Sequence, residues 1–174
     1  RVLYIDDNPG NTLLMAAMFE RLPGLVLLCE CDPQRGVDLA LAVEADGAHL
    51  GWQSLPIEAA RRAAGDRLWI GFSAHNLTEA ERAASEGANY LTYSPIFQTP
   101  SKEGLVPTVG LEGLRAAAAV TRLPLVALGG VTPENAASCI EAGAAGVAMI
   151  RSVLQSSDPK ATVQRFVEAI PTAA

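Results

Sequence analysis

Gly129 and Gly130 follow an apolar run, Leu125-Val126-Ala127-Leu128, and precede Thr132-Pro133-Glu134, which places a cap before a proline at the first helical position. Glycines in such a turn let backbone N–H groups come close to an anion. The next apolar run ends Met149-Ile150-Arg151-Ser152, again ahead of a helical turn. In β/α barrels, loops after two consecutive late strands often form a phosphate site. Gly129, Gly130, Ile150, Arg151 and Ser152 are therefore candidate phosphate-binding residues. The glycines also suit a simple tight turn, and Arg151 also suits a solvated surface.

A long loop, Ser94-Pro95-Ile96-Phe97-Gln98-Thr99-Pro100-Ser101-Lys102-Glu103-Gly104, adds Thr99, Ser101 and Lys102. Hydroxyls and an ammonium group match the acceptor oxygens of phosphate or pyrophosphate. Loops of this length in compact domains are often functional. Of the two histidines, His49 sits within a strand and reads as structural. His75 follows one, in Gly71-Phe72-Ser73-Ala74-His75. His75, Ser73 and Gln53 are further rim candidates, and no catalytic residue is assigned.

These residues need a scaffold that gathers strand ends. Apolar runs at 2–6, 25–31, 47–51, 68–73, 89–94, 124–128 and 146–150 alternate with helical stretches at 11–22, 35–45, 56–65, 77–87, 110–121, 133–143 and 159–169. Such alternation implies parallel β/α crossovers. Strands apolar on both faces fit a sheet covered on both sides. Asn76-Leu77-Thr78-Glu79 reads as a capping box. A single domain over residues 1–174 is expected from the length and the 49% hydrophobic content.

Composition excludes other classes. A net charge of −6 without a basic cluster argues against nucleic-acid binding. No apolar run reaches the ~20 residues that cross a bilayer. The opening residues read as a strand rather than as a leader, so a cytoplasmic setting is expected. Cys29 and Cys31 share a strand face and Cys139 lies on a helix, which suits reduced thiols. A Cys-x-Cys metal site lacks nearby His or Cys partners. No metal and no cofactor are expected, beyond a phosphate or sulfate ion at the glycine turn.

The order of His49-Leu50-Gly51, Ser73-Ala74-His75, Gly87-Ala88-Asn89-Tyr90, Ser94-Pro95-Ile96-Phe97, Thr99-Pro100-Ser101-Lys102, Ala127-Leu128-Gly129-Gly130-Val131 and Gly143-Ala144-Ala145-Gly146-Val147-Ala148 resembles the thiamin phosphate synthase/TenI family. The resemblance implies that Thr99, Ser101 and Lys102 face pyrophosphate. It further implies that Gly130, Ile150, Arg151 and Ser152 cradle a thiazole phosphate. Two positions depart from the family pattern. Ser54 stands where the synthases carry an acidic Mg²⁺ ligand, and a hydroxyl is a poor substitute for a carboxylate. Ser94-Pro95 stands where the tautomerases place a catalytic histidine.

The first 34 residues resemble the opening of a CheY-like response-regulator receiver, with Asp6 and Asp7 as its acidic pair but no phospho-acceptor aspartate. The fold expected from both resemblances is α/β: a parallel (β/α) barrel-like fold of about seven parallel strands. It joins a flavodoxin-like fragment, residues 1–34, to a partial TIM barrel, residues 35–174. A seam between Asp32 and Gly36 suggests an engineered chimeric scaffold that binds a small phosphorylated ligand with little or no turnover. Natural homologues running unbroken across Gly36 would overturn it. The alternatives are a thiamin phosphate synthase or TenI-like enzyme acting on thiazole phosphate, and a receiver-like signalling module. An open sheet edge would favour a homodimer.

Overall fold

The computed structural model describes residues 2–5, 27–30, 32–51, 54–99 and 107–170. The chain divides into two compact units, Arg1–Phe72 with Glu86–Ala88, and Ser73–Ser85 with Asn89–Ala174.

In the first unit, β1 (Val2–Ile5) and β2 (Leu27–Glu30) pair in parallel, Val2 opposite Leu27 and Ile5 opposite Glu30. Helix α1 (Pro33–Ala42) follows at once. Asp32 caps it, its carboxylate accepting from the Gln34 and Arg35 N–H groups at 2.9 and 3.3 Å. The Gly36 N–H donates to the Asp32 carbonyl at 2.8 Å. The stretch expected to be a seam is thus the first turn of a regular capped helix. Val37 and Ala40, one turn apart, form its buried face.

Strand β3 (Gly47–Leu50) alternates, burying Ala48 and Leu50. Helix α2 (Ile57–Ala64) turns Ile57, Ala60 and Ala64 inward and ends in a 3₁₀ turn, Gly65–Arg67. Strand β4 (Trp69–Ala74) runs parallel to β3, with Gly47 opposite Trp69 and Leu50 opposite Phe72.

Arg61 ties these pieces together. Its guanidinium donates twice to the Gly87 carbonyl, at 3.1 and 2.8 Å, and once each to Gly65 and Leu68, at 2.6 and 3.0 Å. Arg61→Ala should lower stability by about 2 kcal/mol, read from denaturant midpoints, because it strands partly buried carbonyls. Arg61→Lys should recover less than half of that, since an ammonium lacks the planar fork.

The second unit continues from the end of β4 through α3 (Leu77–Ser85), β5 (Tyr90–Tyr93), α4 (Gly110–Val120), β6 (Leu125–Leu128), α5 (Ala136–Glu141), β7 (Gly146–Ala148), α6 (Arg151–Leu154) and α7 (Pro159–Ala169). Leu91 faces Leu125 across β5 and β6, and Val126 faces Gly146 across β6 and β7. Leu91, Tyr93, Ile96, Leu114, Leu125 and Phe166 form its core. The helices turn alanines into the core, Ala80, Ala83, Ala117 and Ala136, all fully buried. Asp158 caps α7 through the Ala161 N–H at 3.0 Å.

Two expectations need correction. The described strands do not form one sheet of about seven. Five make a parallel sheet in the order β3-β4-β5-β6-β7, while β1 and β2 form a separate two-stranded sheet. Helix α5 begins at Ala136, three residues after Pro133, because Asn135 organises the preceding turn. Asp6, Asp7, Cys31 and the helix expected at 11–22 lie outside the described residues. Cys139 is a buried free thiol, and burial pushes its pKa up.

Candidate functional site

Parallel strands bring all their C-terminal ends to one edge, so consecutive loops converge. Within the second unit, β4 ends in Ser73 and His75, β5 in the 94–99 loop, β6 in Gly129 and Gly130, and β7 in the 149–152 turn. Leu128 lies opposite Ala148, so the last two ends are immediate neighbours.

Both glycines are left-handed, with φ of 92° at Gly129 and 66° at Gly130. A Cβ on Gly129 would meet Pro95 atoms at 2.8 Å, and one on Gly130 would meet the Gln98 carbonyl oxygen at 2.6 Å. The 94–98 segment therefore rests directly on the glycine turn. Ile96 N–H donates to the Leu128 carbonyl at 2.9 Å and Phe97 N–H to that of Gly129 at 3.0 Å. Asn135 completes the clamp: its Nδ2 donates to the Gly130 carbonyl at 3.1 Å, and its Oδ1 accepts the Thr132 N–H at 2.8 Å. Three successive carbonyls are thus engaged. Sequence reasoning credited the glycines with anion approach and missed both the docked loop and Asn135. An asparagine three residues beyond Thr132 sits at the capping-box spacing, a signal that could have revealed the clamp.

At the end of β7, Ile150 and Arg151 are exposed and Ser152 is half-buried. The Ser152 hydroxyl oxygen is buried and has no hydrogen-bond partner among the described residues. A buried hydroxyl left unpaired costs about 1–3 kcal/mol. Such groups point to an absent partner.

At the ends of β4 and β5, the Thr92 hydroxyl donates to that of Ser73 at 3.2 Å. The His75 ring is largely buried, its Nδ1 lying 3.4 Å from Glu79 Oε2. The capping box at Asn76 is present, with the Glu79 N–H on Asn76 Oδ1 at 2.9 Å. The Glu79 carboxylate reaches past the cap to the His75 N–H at 2.7 Å. Tyr93 has its pKa raised by burial and then by the Glu79 charge. Thr99 is half-buried. Ser101, Lys102 and Gln53 lie outside the described residues.

His49 belongs to the first unit. It is exposed at the surface, yet its surroundings desolvate it enough to hold its pKa below the ordinary 6.5. The unfolded chain therefore binds this proton at higher pH than the folded one. The His49 contribution to stability should be complete above pH 6.5 and lost as the pH falls through that value toward the folded pKa. Denaturant midpoints for the parent and His49→Gln across this range test it: the variant should lose stability less steeply on acidification.

The metal site implied by the family resemblance is not formed by the described residues. Ser54 sits in a tight turn, its N–H on the Gly51 carbonyl at 3.1 Å. No three His, Cys, Asp or Glu side chains among the described residues converge on a metal position. Ser94, at the tautomerase position, is buried and offers no titratable group. No helix among the described residues is long and apolar enough to cross a membrane.

The sequence model of the thiamine monophosphate synthase family matches residues 34–153. The chain belongs to this family. Thiamine-phosphate synthases of Chloroflexus aurantiacus and Moorella thermoacetica are each 44% identical to it, over 130 and 137 residues. Those matches cover 75% and 79% of this chain, and 60% and 65% of the relatives. The chain thus spans under two thirds of their length. A family member from Geobacter sulfurreducens is 34% identical over 170 residues, covering 95% of this chain and 78% of its own. Among solved structures, thiamine phosphate pyrophosphorylase from Pyrococcus furiosus superposes with a TM-score of 0.71 at 30% identity, covering 96% of this chain and 80% of its own. A 3-hexulose-6-phosphate synthase, at 20% identity and a TM-score of 0.65, shares the fold.

These relatives correct the reading of the first 34 residues. The Geobacter alignment covers all but a few residues of this chain and so runs across Gly36. The engineered chimera is overturned, and with it the inactive scaffold. The receiver and flavodoxin resemblance also falls. A β-α-β opening is common to both folds, so strand and helix spacing could not separate them.

Proposed function

We propose that this chain acts as a thiamine-phosphate synthase, holding a thiazole phosphate at the ends of β6 and β7. The Ser152 hydroxyl carries the proposal: it is buried without a partner among the described residues at the position the family resemblance gives to phosphate. A phosphate oxygen there would accept its proton. With the carbonyls of Leu128, Gly129 and Gly130 already engaged, an anion at this turn would meet backbone N–H groups. Arg151 would add charge from the exposed side. By the family resemblance, Thr99, Ser101 and Lys102 would face the pyrophosphate of the second substrate. Donors preset around a leaving group stabilise the charge it develops. A cytosolic setting belongs to the same proposal.

The test is formation of thiamine phosphate from thiazole phosphate and a pyrophosphate-activated pyrimidine, with Mg²⁺ supplied. The expected result is product and pyrophosphate in equal amounts. Absence of both at high protein concentration, with the protein folded, would reject the proposal.

A further inference from the structure

The Glu79 side chain does more than a helix cap requires. In a capping box the third helical residue reaches back to the N–H of the cap itself. Here the carboxylate passes Asn76, accepting from its Nδ2 at 2.8 Å, and lands on the residue before it. One oxygen, Oε2, lies 2.7 Å from the His75 N–H and 3.4 Å from His75 Nδ1. The ring is held in a confined place, with 9% of its side-chain surface exposed. An ionised carboxylate only accepts, so the ring nitrogen beside it must carry a proton. The partner of one ring nitrogen decides the state of the other.

We propose that Glu79 is a positioning residue that fixes His75 as the Nδ1–H tautomer and places the ring's lone pair on Nε2 at the C-terminal end of β4. Nε2 is then the nitrogen that accepts a proton or a hydrogen bond. Assigning that nitrogen to the ligand rim rests on the synthase reading; the tautomer itself does not.

Nitrogen-15 NMR of the histidine rings in mildly alkaline buffer, without substrate, tests the tautomer. The sequence holds two histidines, so His49→Gln assigns the His75 signals. The parent should show the proton on Nδ1. Glu79→Gln keeps an acceptor oxygen and should keep that tautomer, whereas Glu79→Ala should move His75 to the Nε2–H form that free imidazole side chains prefer. A parent ring protonated on Nε2 overturns the proposal, and this reading needs no change at Glu79. An unchanged tautomer in folded Glu79→Ala overturns it as well. In the synthase assay, Glu79→Ala should lower kcat about tenfold with little change in KM for thiazole phosphate, and Glu79→Gln should restore most of it. A parent that makes no thiamine phosphate rejects the rim assignment and leaves the tautomer result standing. An unaffected kcat in Glu79→Ala rejects the positioning role.

Discussion

Ser152→Ala should leave the ligand-free protein as stable as the parent or slightly more so, while weakening its hold on a phosphate monoester by about tenfold or more. The two effects have opposite sign because the hydroxyl is buried without a partner among the described residues. Removing an unsatisfied buried group relieves a cost of about 1–3 kcal/mol. Removing a hydrogen bond to a charged phosphate forfeits about 1.5–3 kcal/mol, which is about 10- to 100-fold in affinity. Denaturant midpoints and calorimetric titration with thiazole phosphate read the two separately. A loss of stability in the free protein would mean that the hydroxyl has an internal partner, and the phosphate assignment would lose its support.

Gly130→Ala should have the largest effect on folding. An L residue held at a φ of 66° is strained by about 1–2 kcal/mol. The new methyl would also lie 2.6 Å from the Gln98 carbonyl oxygen and 2.8 Å from Phe97 Cβ. Overpacking of this kind costs about 1–3 kcal/mol more. The expected total is about 2–5 kcal/mol, with displacement of the 94–98 segment and loss of phosphate binding. Gly146→Ala is the control, because nothing lies within 4 Å of a Cβ there. It should be close to neutral. Equal effects at the two glycines would show that the loop does not press on the glycine turn.

Much of the scaffold was legible in the sequence. Strands buried on both faces write continuous apolar runs, and Leu125-Val126-Ala127-Leu128 became β6 as read. Asn76 and Glu79 announced a helix start, and α3 begins beside them. Other signals pointed two ways. Asp32-Pro33 caps α1, but beside a receiver-like strand it read as a join. Pro133 suits a first helical position, yet the Asn135 side chain held the chain in a turn until Ala136. The strand-end candidates were visible because motif order survives in one dimension. Their energetics were not. The orphaned state of Ser152 depends on what buries it, and the role of Gly130 depends on a loop that docks from about thirty residues earlier. Glu79 was legible as a cap, but its reach to the His75 ring is a fact of side-chain geometry.

Amide NMR shifts during titration of thiazole phosphate, run beside the unphosphorylated thiazole alcohol, show whether the ends of β6 and β7 recognise the phosphate itself. The phosphorylated compound should shift Gly129, Gly130, Arg151 and Ser152 together, whereas the alcohol at the same concentrations should leave them in place. Equal responses to both compounds, or shifts confined to other strand ends, would contradict a phosphate site at the ends of β6 and β7.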